Sequence, residues 1–249
     1  MKKVLFLFFG IHFFVFLAFA QVSVSGLLTE NRILPEGIDQ SQPQFSWQLN
    51  SDERNVLQTA YEIRVSNNLK SLKSGHNLFW TSGKISSDQS VHVSYSGPVL
   101  KSATKYFWQV RVWDNRNHES KWSEPVFWSA GLLTPENWKA HWIQAGFEDT
   151  ELRPSPMFRK EFQAQKTIKS AMAFVSARGL YEAEINGKKV GDAYFTPGWT
   201  AYDKRIQYQT FDVTSLLQEG NNAIGVTLGN GWYRGYLGIR GQRDFYGSE

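Results

Sequence analysis

The sequence predicts an all-β chain of two successive sandwiches. Three observations carry this expectation. Apolar residues recur with a period of two in short runs, turn residues separate those runs at sandwich spacing, and helical periodicity is nearly absent. The run Gln44-Phe-Ser-Trp-Gln-Leu49 points Phe45, Trp47 and Leu49 to one face, and Ala60-Tyr-Glu-Ile-Arg-Val65 does the same with Tyr61, Ile63 and Val65. Between Lys105 and Trp113, the residues Tyr106, Trp108, Val110 and Val112 share a face. Leu132-Leu-Thr-Pro-Glu-Asn137 puts a Pro and polar residues between two apolar segments and reads as a boundary. Beyond it, strands are expected over Met157–Phe162, Ile168–Ser176, Leu180–Ile185, Ile206–Asp212 and Asn222–Leu228. The clearest helix candidate is Asp212–Glu219, with Asp212 or Thr214 as cap, one or two turns, and Gly220 as terminator. Asn186-Gly187 favours a two-residue type I′ hairpin, and Gly198 and Gly231 read as turn positions with φ above zero.

The first twenty residues read as a leader. Lys2 and Lys3 precede an apolar run from Val4 to Phe19, and Ala18-Phe-Ala20 supplies a small-x-small cleavage site. The expected organisation is therefore a signal peptide over 1–20, one sandwich over 21–133 and a second over 134–249. Cleavage would leave an exported chain, periplasmic, cell-surface or secreted, with no membrane span. Removing Lys2 and Lys3 from the 27 basic residues leaves 25 against 23 acidic ones. No dense Lys/Arg run offers a nucleic-acid surface. There are no cysteines, so an exported fold must stand on its cores rather than on disulfides. Ten Trp, ten Tyr and eighteen Phe supply the material, although seven of the Phe lie in the leader.

The order of runs in the first half resembles a fibronectin type III sandwich: an early Trp strand, Tyr61-x-Ile-x-Val65, then Tyr106-x-Trp-x-Val-x-Val112. Ser120-Lys-Trp-Ser-Glu-Pro-Val126 matches the approach to the last strand of such domains. In the second half, Ile185-Asn-Gly-Lys188, Phe211-Asp-Val-Thr-x-Leu-Leu217 and Gly220-Asn-Asn-x-Ile-Gly-Val226 recur in jelly-roll domains of several glycosidase families. To these are added Pro197-Gly-Trp-Thr200, Tyr202-x-x-Arg205-x-x-Tyr208 and Gly229-Asn-Gly-Trp-Tyr-Arg-Gly235. Together they resemble the N-terminal sandwich domains of bacterial α-L-rhamnosidases. The resemblance implies a polypeptide acting on rhamnose-containing glycans or glycosides. Its catalytic carboxylates would lie on a C-terminal helical barrel of the same polypeptide, and hydrolysis would be inverting. It also implies a jelly roll that continues past Glu249, since only five or six of about eight strands are countable here. A stand-alone carbohydrate-binding or adhesive sandwich is the alternative, and a β-galactosidase-like glycosidase a further one.

Glycoside hydrolysis needs two carboxyl groups across the scissile bond. Glu182 and Glu184 are the one tempting close pair, about 6.5–7 Å apart at i, i+2 on a strand. The opposite face holds Tyr181, Ala183 and Ile185, so both acids read as solvated outer-face residues, and no catalytic residue is assigned. His76, His92, His118 and His141 show no zinc spacing, and His92 reads as a solvent-facing strand residue. No nucleophile elbow is present. Gly229-x-Gly231 followed by Trp-Tyr does not open a helix, which removes a dinucleotide reading. No metal site is assigned and no cofactor is required. Asp192, Asp203 and Asp244 could ligate Ca2+ with loop carbonyls, and the resemblance admits this because some sandwiches of this type bind rhamnose through calcium. The binding candidates are the loop aromatics Trp199, Tyr202, Trp232, Tyr233 and Tyr236, with Arg205, Asn230 and Arg234 as hydrogen-bonding groups. These loops either contact sugar or pack on a neighbouring domain.

Overall fold

The computed structural model describes residues 22–146, 152–238 and 241–247; the expected leader, 1–20, lies outside the described residues. The chain is all-β. In the first region, β1 (Ser23–Thr29), β2 (Gln44–Asn50) and β6 (Val93–Ser94) form one sheet in the order β1-β2-β6. A facing sheet has the order β4-β3-β7-β8. It is built from β3 (Gln58–Ser66), β4 (Trp80–Thr81), β7 (Lys105–Asp114) and β8 (Val126–Ser129), with β5 (Ile85–Ser86) also paired to β3. The expected alternation is what fills the space between them. Phe45 and Trp47 from one sheet meet Ile63, Val65, Trp108, Val110 and Val112 from the other, all at most 2 % exposed. Phe45 lies 4.4 Å from Trp108, and Tyr106 stacks on Trp128 at 5.2 Å. Two indole N–H groups are satisfied inside: Trp108 Nε1 donates to Thr29 Oγ1 (3.1 Å) and Trp47 Nε1 to Gln58 Oε1 (2.9 Å).

The solvent side of β3 and β7 carries a stack of alternating cations and indoles. Arg64 lies 3.4 Å over Trp122, Arg111 sits 4.7 and 4.9 Å from Trp122 and Trp113, and Lys84 lies 4.2 Å over Trp113. Glu62 receives Arg111 through two bonds of 2.7 and 2.9 Å.

The second region has a four-stranded antiparallel sheet ordered β12-β11-β14-β9. Its strands are β9 (Met157–Ala164), β11 (Leu180–Ile185), β12 (Lys188–Lys189) and β14 (Gly220–Gly229). It faces a ribbon of β10 (Met172–Val175) and β13 (Gln209–Asp212). Along β11, Tyr181, Ala183 and Ile185 are buried and Glu182 and Glu184 exposed, as the alternation requires. Asn186 (φ 52°) and Gly187 (φ 74°) make the expected tight turn between β11 and β12. The Asn186 side chain fastens it, accepting from Ala223 N (2.9 Å) and donating to Leu216 O (2.9 Å). The core cluster here holds six buried apolar residues, against seventeen in the cluster of the first region, so among the described residues this core is much thinner.

Four local expectations are corrected. The helix expected over Asp212–Glu219 shrinks to a 3-10 turn at Thr214–Leu216, because Asp212 still belongs to β13 and the turn starts from Val213; Asp212 Oδ1 accepts Thr214 N (3.1 Å). A short helix, α1 (Leu69–Ser74), was not expected; Asn68 Oδ1 caps the amides of Lys70 and Ser71, and Gly75 (φ 75°) closes it. A single helical turn, α2 (Gly231–Arg234), follows β14 where no helix was expected. His92 lies outside the strands with φ 55° and bonds Asn31 Oδ1 through Nε2 at 3.0 Å, rather than extending as a strand residue.

Candidate functional site

The aromatic loops gather where β11 and β14 end. Just past the strand ends there is no room for a Cβ at Gly179 or Gly231. A Cβ on Gly179 (φ 97°) would stand 2.5 Å from Gly229 O, and one on Gly231 (φ 49°) would stand 2.7 Å from Leu180 Cγ. This interlock turns the chain from β14 directly into α2. Thr196 then pins the neighbouring loop to β11. Its Oγ1 donates to Tyr181 O (2.7 Å) and its carbonyl accepts Tyr181 N (2.9 Å). Tyr181 itself is buried and donates to Gln209 Oε1 (2.7 Å); burial pushes its hydroxyl up to about 12.

Above that anchor the aromatics form two layers. Trp199, 53 % exposed, stands near-parallel (5°) to Trp232 with ring centres 6.2 Å apart, and Phe195, 71 % exposed, meets Trp232 edge-on at 6.4 Å. Below them Tyr202, Tyr233 and Tyr246 form a box. Tyr202 meets Tyr233 and Tyr246 edge-on at 5.3 and 5.1 Å, while Tyr233 and Tyr246 are near-parallel at 6.5 Å. Trp199 Nε1 donates to Tyr246 Oη at 3.2 Å and joins the layers. Tyr202 and Tyr233 are only 7 % and 6 % exposed, so their rings support the surface and do not form it. Burial raises the Tyr202 hydroxyl, which donates to Gly198 O at 3.3 Å.

The other expected residues fall at different depths. Arg205 is exposed, and its carbonyl accepts Thr200 Oγ1. Asn230 is half-buried and opens α2, its carbonyl accepting Arg234 N at 3.1 Å. Arg234 Nε lies 3.7 Å from Asp244 Oδ1, and Arg153 Nη1 bonds both Asp244 oxygens at 2.8 and 3.0 Å. Hydrogen bonding from Arg153 holds the Asp244 carboxyl below the usual range against the opposing effect of burial, with the charges of Arg153, Arg234 and Arg243 adding to it. The calcium reading of Asp244 is thereby displaced, because guanidinium groups surround the oxygens a cation would need. Among the described residues, no group of three or more Asp, Glu or His is placed to hold a metal ion. Tyr236 is exposed, with Arg243 4.7 Å over its ring. Glu182, on the solvent face of β11, pairs with Lys189 at 2.6 Å.

Sequence reasoning missed Arg178, which donates to Tyr233 Oη (3.3 Å) and lies 5.3 Å over the half-exposed Trp142. It also missed Phe195, Phe245 and Tyr246. The recurrence of aromatics through Trp232–Tyr246 was the available signal. Chemically, the outer layer offers flat apolar faces with few polar groups between them. Such faces suit the C–H face of a pyranose or the apolar side chains of another domain.

Comparison with known proteins adds the following. Residues 24–134 match the family model described as "Rha78A-like, N-terminal immunoglobulin domain", and residues 166–249 match "Alpha-L-rhamnosidase N-terminal domain". A Formosa agariphila protein named alpha-L-rhamnosidase is 36 % identical over 80 % of this chain and 23 % of its own length. One from Alteromonas sp. with the same name is 37 % identical over 84 % of this chain and 24 % of its own. The solved structure of an alpha-L-rhamnosidase from Dictyoglumus thermophilum superposes with a TM-score of 0.78 at 39 % identity, covering 85 % of this chain and 25 % of that one. The chain thus spans about a quarter of the length of the relatives it matches.

Proposed function

The chain belongs to the N-terminal region of the α-L-rhamnosidase family, and from that premise we propose that it is the accessory part of an exported α-L-rhamnosidase. The whole polypeptide would release terminal non-reducing α-L-rhamnose from glycans or glycosides with inversion. Its acid and base would lie outside these residues. The observation that carries this reading is the coverage: residues 24–134 and 166–249 match N-terminal domains, while the relatives run about four times longer. The disposition of the carboxylates agrees with it, since Glu182 and Glu184 stand on a solvated strand face and Glu182 is already paired. The leader-like segment around Lys2, Lys3 and Ala18-Phe-Ala20 supports export.

In this role the first region is a scaffold. The face of Phe195, Trp199 and Trp232 is a contact surface for another part of the polypeptide, with Tyr202, Tyr233 and Tyr246 fixing it from below. A second reading, sugar contact, is favoured by the near-parallel, partly exposed rings of Trp199 and Trp232.

The polypeptide encoded by the full reading frame can be assayed on an aryl α-L-rhamnoside with the product anomer followed by NMR. Release of β-L-rhamnose as the first-formed anomer is expected; no release, or the α anomer first, defeats the reading. The two roles of the aromatic face separate in the 249-residue chain titrated with L-rhamnose. A contact surface predicts no saturable binding, whereas binding lost in Trp232→Ala would establish the sugar-contact role.

A further inference from the structure

We propose that strand β13 is shared by both regions, so that the second sandwich closes only while docked on the first. The strand's two faces point to different partners. Phe211 packs into the second core, and Gln209 accepts the Tyr181 hydroxyl. The opposite row, Tyr208, Thr210 and Asp212, lies against the first region. Tyr208, which immediately precedes β13, accepts Leu132 N through Oη at 3.0 Å. Asp212 Oδ2 pairs with Lys105 Nζ at 3.0 Å, and Asp212 N donates to Glu36 Oε2 at 3.0 Å.

The approach is close enough to dictate glycine on the first region's side. A Cβ on Gly131 would stand 2.5 Å from Tyr208 Oη and 2.9 Å from Gly37 O. A Cβ on Gly37 (φ 74°) would stand 2.4 Å from Thr210 Oγ1. The first region's backbone at Gly37 and Gly131 is therefore in direct contact with the Thr210 and Tyr208 side chains, which is packing rather than a loose tether.

The dependence runs from the second region to the first. The β10–β13 ribbon has only two strands, and a two-stranded ribbon is marginal in water unless a further layer covers it. It closes a core cluster of six buried residues, against seventeen in the cluster of the first region. Docking covers the ribbon's outer row and joins it to the larger core. The aromatic face at the ends of β11 and β14 is then held at a fixed orientation to the first sandwich.

Hydrogen exchange read by mass spectrometry on the whole chain tests this with a Glu36→Ala/Lys105→Ala variant. Both substitutions lie in the first region, so an effect on β13 must cross the joint. Exchange across 172–175 and 209–212 should rise about tenfold or more, while β3 and β7 keep their protection. Unchanged exchange in those two segments overturns the proposal. Should the variant also lose protection in β3 and β7, the proposal requires β10 and β13 to be lost with them, and their survival overturns it. The unmodified chain in rising denaturant gives an independent reading. Strands β10 and β13 must lose protection at or before β3 and β7, and ribbon protection outlasting the first sandwich refutes the dependence.

Discussion

Replacing Tyr233 with Ala should loosen the aromatic face while leaving the sandwiches standing. Tyr233 is 6 % exposed and packs against Tyr202 and Tyr246 beneath the surface tryptophans. A buried phenol removes roughly 150–250 Å² from water, worth about 4–6 kcal/mol as an upper bound at ~25 cal/mol per Å². Aromatic-to-Ala changes in packed sites cost about 3–5 kcal/mol. The loss falls on the loops and not on the sheet, because β11 and β14 are held by their own ladder from Leu180↔Gly229 to Ile185↔Ile224. Tyr233→Phe separates ring from hydroxyl. Among the described residues it gives up the 3.3 Å contact from the exposed Arg178, a change under about 1 kcal/mol. Exchange across 194–202 should therefore accelerate about a hundredfold or more in Tyr233→Ala, at ~1.4 kcal/mol per decade, and barely move in Tyr233→Phe. If Tyr233→Ala leaves that segment within about threefold of the unmodified protein, Tyr233 does not support the Trp199 loop, and the two-layer account is wrong.

Two further outcomes are expected. Gln58, 6 % exposed, accepts Trp47 Nε1 and donates to Ser87 O (3.1 Å) and Gln89 O (2.8 Å). Gln58→Leu should cost about 2–4 kcal/mol by orphaning the buried indole N–H, lowering the first transition by roughly 10 °C in calorimetry, and Trp47→Phe added to it should recover part of the loss. Asp244 has a folded-state pKa held down, first by the Arg153 hydrogen bond. Its stabilising contribution is therefore complete above the unfolded carboxylate value of about 3.9 and disappears as pH falls through the depressed folded value. Asp244→Asn should accelerate exchange in 241–247 at neutral pH, with the difference from the unmodified protein shrinking in strong acid.

Where period and turn chemistry agreed, the fold was legible in the sequence. Leu180–Ile185 is a strand within those limits, and Asn186-Gly187 makes its turn, because one alternating run and one φ-demanding dipeptide suffice to specify a hairpin. Short helices were not legible through periodicity. Leu69–Ser74 spans less than two full turns, and only its caps, Asn68 and Gly75, announced it. Asp212 was ambiguous because one residue can end a strand while its carboxylate accepts an amide of the turn that follows. At the site, residue type located the aromatic loops but not their depth. Trp199 and Tyr202 are three residues apart in one loop, yet one is 53 % exposed and the other 7 %. That difference arises from Tyr246 and Tyr233, which contact Tyr202 from distant points in the sequence.

Strand β9 pairs with β14 along one side, and among the described residues its other side has no strand. Three consecutive charges, Arg159, Lys160 and Glu161, occupy that rim, with Arg159 and Glu161 bonded to each other at 2.6 Å. A charged rim disfavours the pairing of a second strand with it. The protection is electrostatic and therefore tunable. The screening length falls from about 10 Å at 0.1 M salt to about 3 Å at 1 M. Dilute buffer should accordingly keep preparations monodisperse, whereas concentrated salt should promote ribbon-to-ribbon stacking, and with it the precipitates and crystal lattices that run along β9.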